Sequence, residues 1–277
     1  MRRLGRAGVM LIAACIAGCA STPRVEHVRG TPPLDRALIA TIDIEQFTAG
    51  EFTASDGTQL RYRLLKPLSP QPGQRYPLVL QLHGSGGIGV DNQRQMEALA
   101  KAWALPEVRA RHAAYVLVPQ FPVRSANYDD PQSPRSAVAS SALSAALELM
   151  DRITQQEAVD PQRIYATGFS MGGSAAWLAA TLRPGHFAAI VPISGVAPAN
   201  DHAAALEDLP IRVMHGDADD ENPIDADRRL VAHLQASGAR NVRLYEYVGL
   251  GHSPPGDSIP GIEWRDWLFA QRRAPPR

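Results

Sequence analysis

Short apolar runs alternate with helix-like segments along most of this chain, and this alternation limits the folds it can adopt. Strands are predicted at 42–53, 60–65, 78–82, 114–118, 163–167, 187–193, 211–214 and 242–247. Helices are predicted at 92–104, 136–153, 174–182, 225–236 and 262–272. Short buried strands that alternate with helices indicate a mostly parallel sheet covered on both faces. We therefore expect an α/β fold with a central sheet of about eight strands flanked by helices.

A sharp turn is predicted between the strand at 163–167 and the Ala-rich helix that follows it. The turn reads Gly168-Phe169-Ser170-Met171-Gly172, which fits the G-x-S-x-G pattern of a nucleophile elbow. Such a turn exposes the serine hydroxyl and aims the helix N-terminus at the reaction centre. A serine that merely caps a Gly-rich helix is the simpler alternative. Because the strand and the helix stand in the required order, we interpret Ser170 as a nucleophile.

A serine hydroxyl needs a general base, and the base in turn needs an acid that orients it. His252 lies in a Gly-rich loop after the last predicted strand, where it could reach Ser170. Four acids follow the preceding strand, in the segment 215–221, which gives the order Ser, acid, His. Spacing does not choose among them; we favour Asp219, with Asp217 as the alternative.

A second Gly-rich loop, Gly84-Ser85-Gly86-Gly87, follows the strand at 78–82. Backbone N–H groups in such a loop are preorganised to bind an oxyanion. We assign the oxyanion hole to the N–H groups of Met171 and Ser85, with Gly86 as the alternative to Ser85. A phosphate-binding loop would need a Lys-Ser/Thr ending, which this segment lacks.

Other side chains follow the predicted strands without a clear pattern. Gln120, Phe121 and Tyr128 follow the strand at 114–118 and are candidates to line the substrate pocket. Trp103 and Trp177 lie on predicted helices, where core packing is the expected role. His215 ends a strand and is expected to pack or to form hydrogen bonds there.

The N-terminus differs from the rest of the chain. Arg2, Arg3 and Arg6 precede an apolar run without acids, which is typical of a secretory signal. The run ends at Ile16-Ala17-Gly18-Cys19 and resembles the lipobox of bacterial lipoproteins. The resemblance implies that residues 1–18 are removed, that Cys19 is acylated, and that the protein is held at the cell envelope. With Ala20 after the cysteine, it resembles an outer-membrane lipoprotein that faces the periplasm or the exterior.

Composition excludes some classes of partner. Lys plus Arg equals Asp plus Glu, at 28 each, so nothing indicates the basic excess of a nucleic-acid-binding protein. The polar segment 19–39 is predicted to be a tether, followed by one domain at 40–277. The partners expected are an ester substrate and, through the lipid anchor, a membrane.

Several motifs together resemble the α/β-hydrolase superfamily. They are the stretches 76–87, 118–120, 160–173 and 187–195, together with His215-Gly216-Asp217-Ala218-Asp219 and Gly251-His252. Within the superfamily the chain is similar to bacterial esterases and "predicted peptidases", near polyhydroxybutyrate-depolymerase-like and feruloyl-esterase-like proteins. The resemblance implies an α/β-hydrolase fold, supports Asp219 as the acid, and implies that no metal or organic cofactor is needed.

The function expected from these residues is hydrolysis of carboxylic esters through an acyl-enzyme. A peptide hydrolase of the aminopeptidase kind is the first alternative, because the same three side chains can cleave amides. A non-catalytic envelope lipoprotein on a hydrolase scaffold is the second, since fold alone does not establish function.

Overall fold

In the part of the chain that the structure describes, the large sheet has nine strands, one more than the sequence predicts. The computed structural model describes residues 25–128 and 135–273. The strands are β1 (Val25–Val28), β2 (Thr48–Thr53), β3 (Gln59–Leu65), β4 (Tyr76–Leu82), β5 (Tyr115–Gln120), β6 (Ala126–Asn127), β7 (Val138–Ala139), β8 (Val159–Phe169), β9 (Ala189–Ile193), β10 (Ile211–Gly216) and β11 (Val242–Tyr247). The helices are α1 (Arg36–Ala40), α2 (Ala98–Ala102), α3 (Pro106–Arg111), α4 (Ser141–Gln156), α5 (Met171–Leu182), α6 (Asp225–Ala236) and α7 (Ile262–Ala270).

The strand order is β1-β11-β10-β9-β8-β4-β5-β3-β2, and β6 pairs with β7 in a separate two-stranded ribbon. Strand β3 runs antiparallel to β2 and β5, and every other pairing in the large sheet is parallel. The carboxyl ends of β4, β8, β9, β10 and β11 therefore share one edge of the sheet. In open α/β sheets this edge carries the ligand site. The expected α/β fold with a mostly parallel sheet is confirmed.

Helices cover both faces of the sheet and enclose a core on each. One core cluster packs the apolar sides of α4, α5 and α6 against the sheet, and the other packs α2, α3 and α7. Trp177 of α5 lies in the first cluster and Trp103, just after α2, in the second, with 0% and 1% of their surfaces exposed. The expectation that both tryptophans are core residues is confirmed.

The helix predicted at 92–104 is wrong over its first half, because α2 begins only at Ala98. Asn92 has a φ of 57° and donates its backbone N–H to the side-chain oxygen of Gln120, so it cannot begin a helix. Pro106, two residues after the predicted end, opens α3, because a proline fits the first turn of a helix, whose N–H groups have no partner within it. The apolar spacing predicts a helix from residue 92, but the hydrogen bond between Asn92 and Gln120 of β5 holds the chain in another conformation there.

The predicted tether is folded from residue 25 onward. Val25–Val28 form β1 and pair in parallel with β11, which adds the ninth strand to the sheet. Asp35 caps α1 by accepting a hydrogen bond from the N–H of Leu38, at 2.8 Å. The first domain strand also starts later than predicted, at Thr48, since 44–46 form a 3₁₀ turn.

The proposed signal peptide and Cys19 lie outside the described residues. Over 25–128 and 135–273, no helix is both long and apolar enough to cross a membrane.

Candidate active site

Ser170 stands at the junction of β8 and α5 in a backbone conformation that few residues other than glycine adopt. Its φ is 57° and its ψ is −121°, and its N–H is fixed by a 2.9 Å hydrogen bond to the carbonyl of Ile193 on β9. Such strain persists where the surrounding structure enforces it, as it does at many functional sites. At Gly172 a Cβ atom would overlap the backbone of Leu82 on β4, so only glycine lets the two segments approach so closely.

The structure brings Ser170, His252 and Asp219 into one line of hydrogen bonds. The Ser170 Oγ lies 2.9 Å from Nε2 of His252, and Nδ1 of His252 lies 2.8 Å from Oδ2 of Asp219. The three side chains come from the elbow, from the loop after β11 and from the loop after β10. They meet at the carboxyl edge of the sheet, although each is more than 30 residues from the next along the chain.

The two candidate acids, Asp217 and Asp219, have different surroundings. Asp217 points away and accepts a 2.7 Å hydrogen bond from the N–H of Gly249, which fixes a turn. Asp219 has a fully buried side chain, and its Oδ1 accepts hydrogen bonds from the N–H groups of Asn222 and Glu221 at 2.8 and 3.1 Å. Burial by itself would raise the pKa of Asp219, but hydrogen bonds from His215, His252 and Asn222 outweigh it and hold the pKa below its usual value. Asp219 is thus an anion at neutral pH.

Backbone donors surround the serine. The N–H groups of Ser85, Gly86 and Met171 donate to no other group in the part of the chain that the structure describes. The Gly84 N–H is already engaged, because it donates a 2.9 Å hydrogen bond to a carboxylate oxygen of Glu97. The loop therefore keeps two donors available beside the first turn of α5.

A cavity of about 330 Å³ opens beside Ser170 and His252. Its walls are largely apolar and come from the loop after β4, from α2, from the elbow and from the segment before α1. Sequence reasoning assigned no role to several of its lining residues, among them Leu34, Glu97, Leu99, Phe169 and Pro254. Only Phe169 carries a local signal, since it belongs to the elbow pattern; the others reach the cavity through the tertiary fold alone.

Gln120, Phe121 and Tyr128 do not line this cavity, so the prediction that they form the pocket is wrong for this site. Gln120 is buried and its amide connects the N–H of Asn92 with the carboxylate of Asp91. Phe121 is buried and donates its N–H to His83. Tyr128 is buried beneath the guanidinium of Arg124, 4.7 Å from its ring centre. Gln120 ends β5, and Phe121 and Tyr128 follow it. In the sheet, β4 and β8 separate β5 from β9, β10 and β11, and the loops that carry Asp219 and His252 follow β10 and β11.

Across the described ranges, no group of three or more His, Cys, Asp or Glu side chains is arranged to hold a metal ion.

A family model and the curated relatives both relate this chain to esterases. Residues 55–268 match the family described as "Putative esterase". The curated relatives include "Putative esterase NocK" of Nocardia uniformis subsp. tsuyamanensis, 27% identical over 79% of this chain and 61% of that protein. They also include "Probable carboxylesterase Os04g0669500" of Oryza sativa subsp. japonica, 26% identical over 73% of this chain and 80% of the relative.

Solved structures agree with the family. A crystal structure of a thermostable esterase superposes with a TM-score of 0.75 at 34% identity and covers 83% of this chain and 64% of that one. The structure of esterase PE8, at 23% identity and a TM-score of 0.57, shows the shared fold. This chain thus spans somewhat under two thirds of NocK and of the thermostable esterase. The chain belongs to this esterase family, on an α/β-hydrolase fold.

Proposed function

We propose that this protein hydrolyses carboxylic esters through an acyl-enzyme, with Ser170 as nucleophile, His252 as general base and Asp219 as the acid that orients His252. The observation that carries the proposal is the continuous line of hydrogen bonds from the Ser170 hydroxyl through both ring nitrogens of His252 to Asp219. Membership of an esterase family supports it.

The chemistry follows from the hydrogen-bonding capacity of each group. Neutral His252 donates its Nδ1–H to Asp219 and accepts the Ser170 proton at Nε2 as Oγ attacks the ester carbonyl. The imidazolium then gives this proton to the departing alcohol. Water, activated by the same Nε2, attacks the acyl-serine and releases the acid. Asp219 stays ionised throughout and stabilises the imidazolium.

The oxyanion that forms at the carbonyl needs donors that require no rearrangement. We assign the N–H groups of Met171 and Ser85 to this role, with that of Gly86 as the alternative to Ser85. Loss of one such donor typically costs ~2.7–4 kcal/mol of transition-state stabilisation.

The test is Ser170→Ala, assayed with p-nitrophenyl acetate and butyrate. We expect kcat to fall by about 10⁴–10⁶-fold while the circular dichroism spectrum is unchanged, because only the nucleophilic oxygen is removed. Ser144→Ala, an exposed position on α4, is the matched control and should keep wild-type activity. Ester turnover by Ser170→Ala near the wild-type rate would contradict the proposal.

The cavity supports a preference among esters. Its volume of about 330 Å³ lies at the small end of the ~300–1,000 Å³ range of ligand pockets, which favours short acyl chains. Feruloyl esters and polyhydroxybutyrate, which the sequence resemblance suggests, remain candidate substrates. A kcat/KM series over acetyl, butyryl, octanoyl and feruloyl esters and a polyester should peak at acetyl or butyryl; a maximum at feruloyl or polymer would overturn this preference.

We further propose that the protein is exported and lipid-anchored through Cys19 in the outer membrane. Because β1 is parallel to β11, Val25 begins at the edge of the sheet opposite the one that carries Ser170. An anchor six residues before Val25 would leave the active site facing away from the lipid. If Cys19→Ala remains in the membrane fraction after cell lysis, the anchoring proposal is wrong.

A further inference from the structure

His215 is a buried histidine that the ester-hydrolysis mechanism does not use. It lies directly behind the proposed triad acid, and none of its side chain is exposed. Its Nε2 is 3.4 Å from Oδ2 of Asp219, the same oxygen that faces His252, and 2.8 Å from the carbonyl oxygen of Asn222. On the other side, its Nδ1 is 2.7 Å from Oδ2 of Asp227 on α6.

The hydrogen-bond partners of the ring determine its protonation. A carbonyl oxygen accepts only, so Nε2 must carry a proton to meet Asn222. Asp227 accepts the indole N–H of Trp177 on its other oxygen, at 3.0 Å, so its Oδ2 is left to face Nδ1 of His215 as an acceptor. With acceptors at both ring nitrogens, His215 is doubly protonated and cationic.

The charges around the ring agree with this assignment. Burial alone would lower the pKa of His215, but the carboxylates of Asp219 and Asp227 outweigh it and raise the pKa to about 9. From β11, Glu246 pairs in register with His215, and its carboxylate is held by Arg228 at 2.7 Å and faces His27 of β1 at 3.6 Å. No other charged group faces the ring from the described elements packed against it.

We propose that His215, held by Asp227, is a positioning residue of this hydrolase: its buried positive charge fixes Asp219 and offsets part of the negative charge that Asp219 presents to His252. This inference rests on the proposed function, because it assigns His252 as the base. The contacts form one line, in the order Trp177, Asp227, His215, Asp219, His252 and Ser170. Behind His252 the charges alternate, from the anion Asp219 to the cation His215 and the anion Asp227. The cation cancels part of the negative potential that Asp219 produces at His252.

The consequence is a defined pH dependence. If the cation behind Asp219 is removed, the field at His252 becomes more negative, and His252 holds its proton to a higher pH. The base must be neutral to activate Ser170, so the acid limb of the activity profile should move to higher pH. With the two rings joined through one carboxylate oxygen, we expect a movement of roughly one pH unit.

The experiment uses His215→Gln, which keeps a hydrogen-bond donor but removes the charge. The readout is the rate of Ser170 labelling by a fluorophosphonate as a function of pH, which needs no knowledge of the natural ester. His112→Gln is the matched control, since His112 is also buried and lies 2.9 Å from an aspartate, Asp266, far from the site. We expect the midpoint of the acid limb to rise in His215→Gln only.

A second measurement keeps the inference testable if His215→Gln does not fold. The ¹⁵N resonances of the His215 ring in the wild-type protein should report two protonated nitrogens at pH 7. An unmoved or lowered acid limb in folded His215→Gln, or a ring with one bare nitrogen at pH 7, would overturn the inference. If the wild-type protein neither reacts with the fluorophosphonate nor cleaves esters, the proposed function itself fails, and the ring resonances still decide the charge of His215.

Discussion

A His-Gly dipeptide stands at the carboxyl end of two strands of the sheet, and the two histidines have different hydrogen-bond partners. His83-Gly84 follows β4, and His215-Gly216 closes β10. Both histidines are buried. Nε2 of His83 accepts the backbone N–H of Phe121 at 3.0 Å and its Nδ1 faces the carbonyl of Gly84, which requires a neutral ring. Both nitrogens of His215 face acceptors, which requires a cationic one.

The pKa values of the two rings follow from these partners. Burial lowers the pKa of His83 to about 4, although the hydrogen bond to the carbonyl of Gly84 opposes it. At His215 the two carboxylates outweigh burial and raise the pKa to about 9. In both loops the His-Gly at the end of a strand places a buried ring at the carboxyl edge of the sheet, while the contacts from elsewhere in the fold decide the charge of that ring. One ring lies beside the loop proposed for the oxyanion hole, and the other lies behind the proposed triad acid.

The largest effect should come from removing Asp227, the carboxylate of α6 that faces His215. Asp227→Ala leaves a buried imidazolium without its partner and a buried indole N–H without an acceptor, and breaking such a pair typically costs ~3–5 kcal/mol. Urea unfolding at pH 7 should show this loss of unfolding free energy. Asp225→Ala on the same helix is the control; that carboxylate is exposed and should contribute less than about 1 kcal/mol. A loss below about 1 kcal/mol in Asp227→Ala would mean that His215 is neutral.

The next largest effect should be the difference between Gly216→Ala and Gly84→Ala in the free energy of unfolding. A Cβ on Gly216 would overlap the backbone oxygen of Leu250, so Gly216→Ala must displace the loop that carries His252. A Cβ on Gly84 would meet a carboxylate oxygen of Glu97 at 3.4 Å, an ordinary contact. We expect Gly216→Ala to lose ~1–3 kcal/mol of unfolding free energy or more, and Gly84→Ala to lose less. Equal losses in a thermal or urea melt would contradict this reading of the loops.

The loop after β4 also has a half-buried carboxylate, that of Glu97, but this carboxylate binds the backbone rather than the histidine ring. Glu97 accepts the Gly84 N–H, and burial raises the pKa of Glu97. Glu97→Ala should free this N–H and loosen the Ser85 donor beside it, lowering kcat for butyryl esters about 10-fold with little change in KM. Glu97→Gln keeps an acceptor oxygen and should restore most of kcat. Wild-type kcat in Glu97→Ala would remove Glu97 from any role in the oxyanion loop.

The sequence predicts the parts of this site that depend on local pattern. The elbow at Ser170, the mostly parallel sheet and the loop that carries His252 follow from alternating apolar runs and a five-residue motif. The contributions of Leu34 and Glu97 do not, because Leu34 reaches the cavity only after β1 pairs with β11, and Glu97 only through a contact 13 residues away. The charge of His215 depends on Asp227 and Trp177, which belong to two different helices.

The smallest effects should appear as opposite pH dependences of stability. The folded pKa of His215 lies above 6.5, so its contribution is fully present below pH 6.5 and is lost as the pH rises through about 9. The folded pKa of His83 lies below 6.5, so its neutral ring contributes above pH 6.5 and that contribution is lost as the pH falls towards 4. Each group can change the unfolding free energy by at most ~1.4 kcal/mol per pH unit.

These two dependences separate when each ring is replaced by glutamine and urea unfolding is followed from pH 4 to 9.5. The difference in unfolding free energy between wild type and His215→Gln should shrink from pH 6.5 to 9. The corresponding difference for His83→Gln should shrink from pH 6.5 down to 4. Because the two windows meet only at 6.5, a shared direction in both variants would show that the two rings carry the same charge. Any remaining difference in stability between the His83 and His215 loops would then come from packing alone, because the hydrogen bonds would leave both rings in the same charge state.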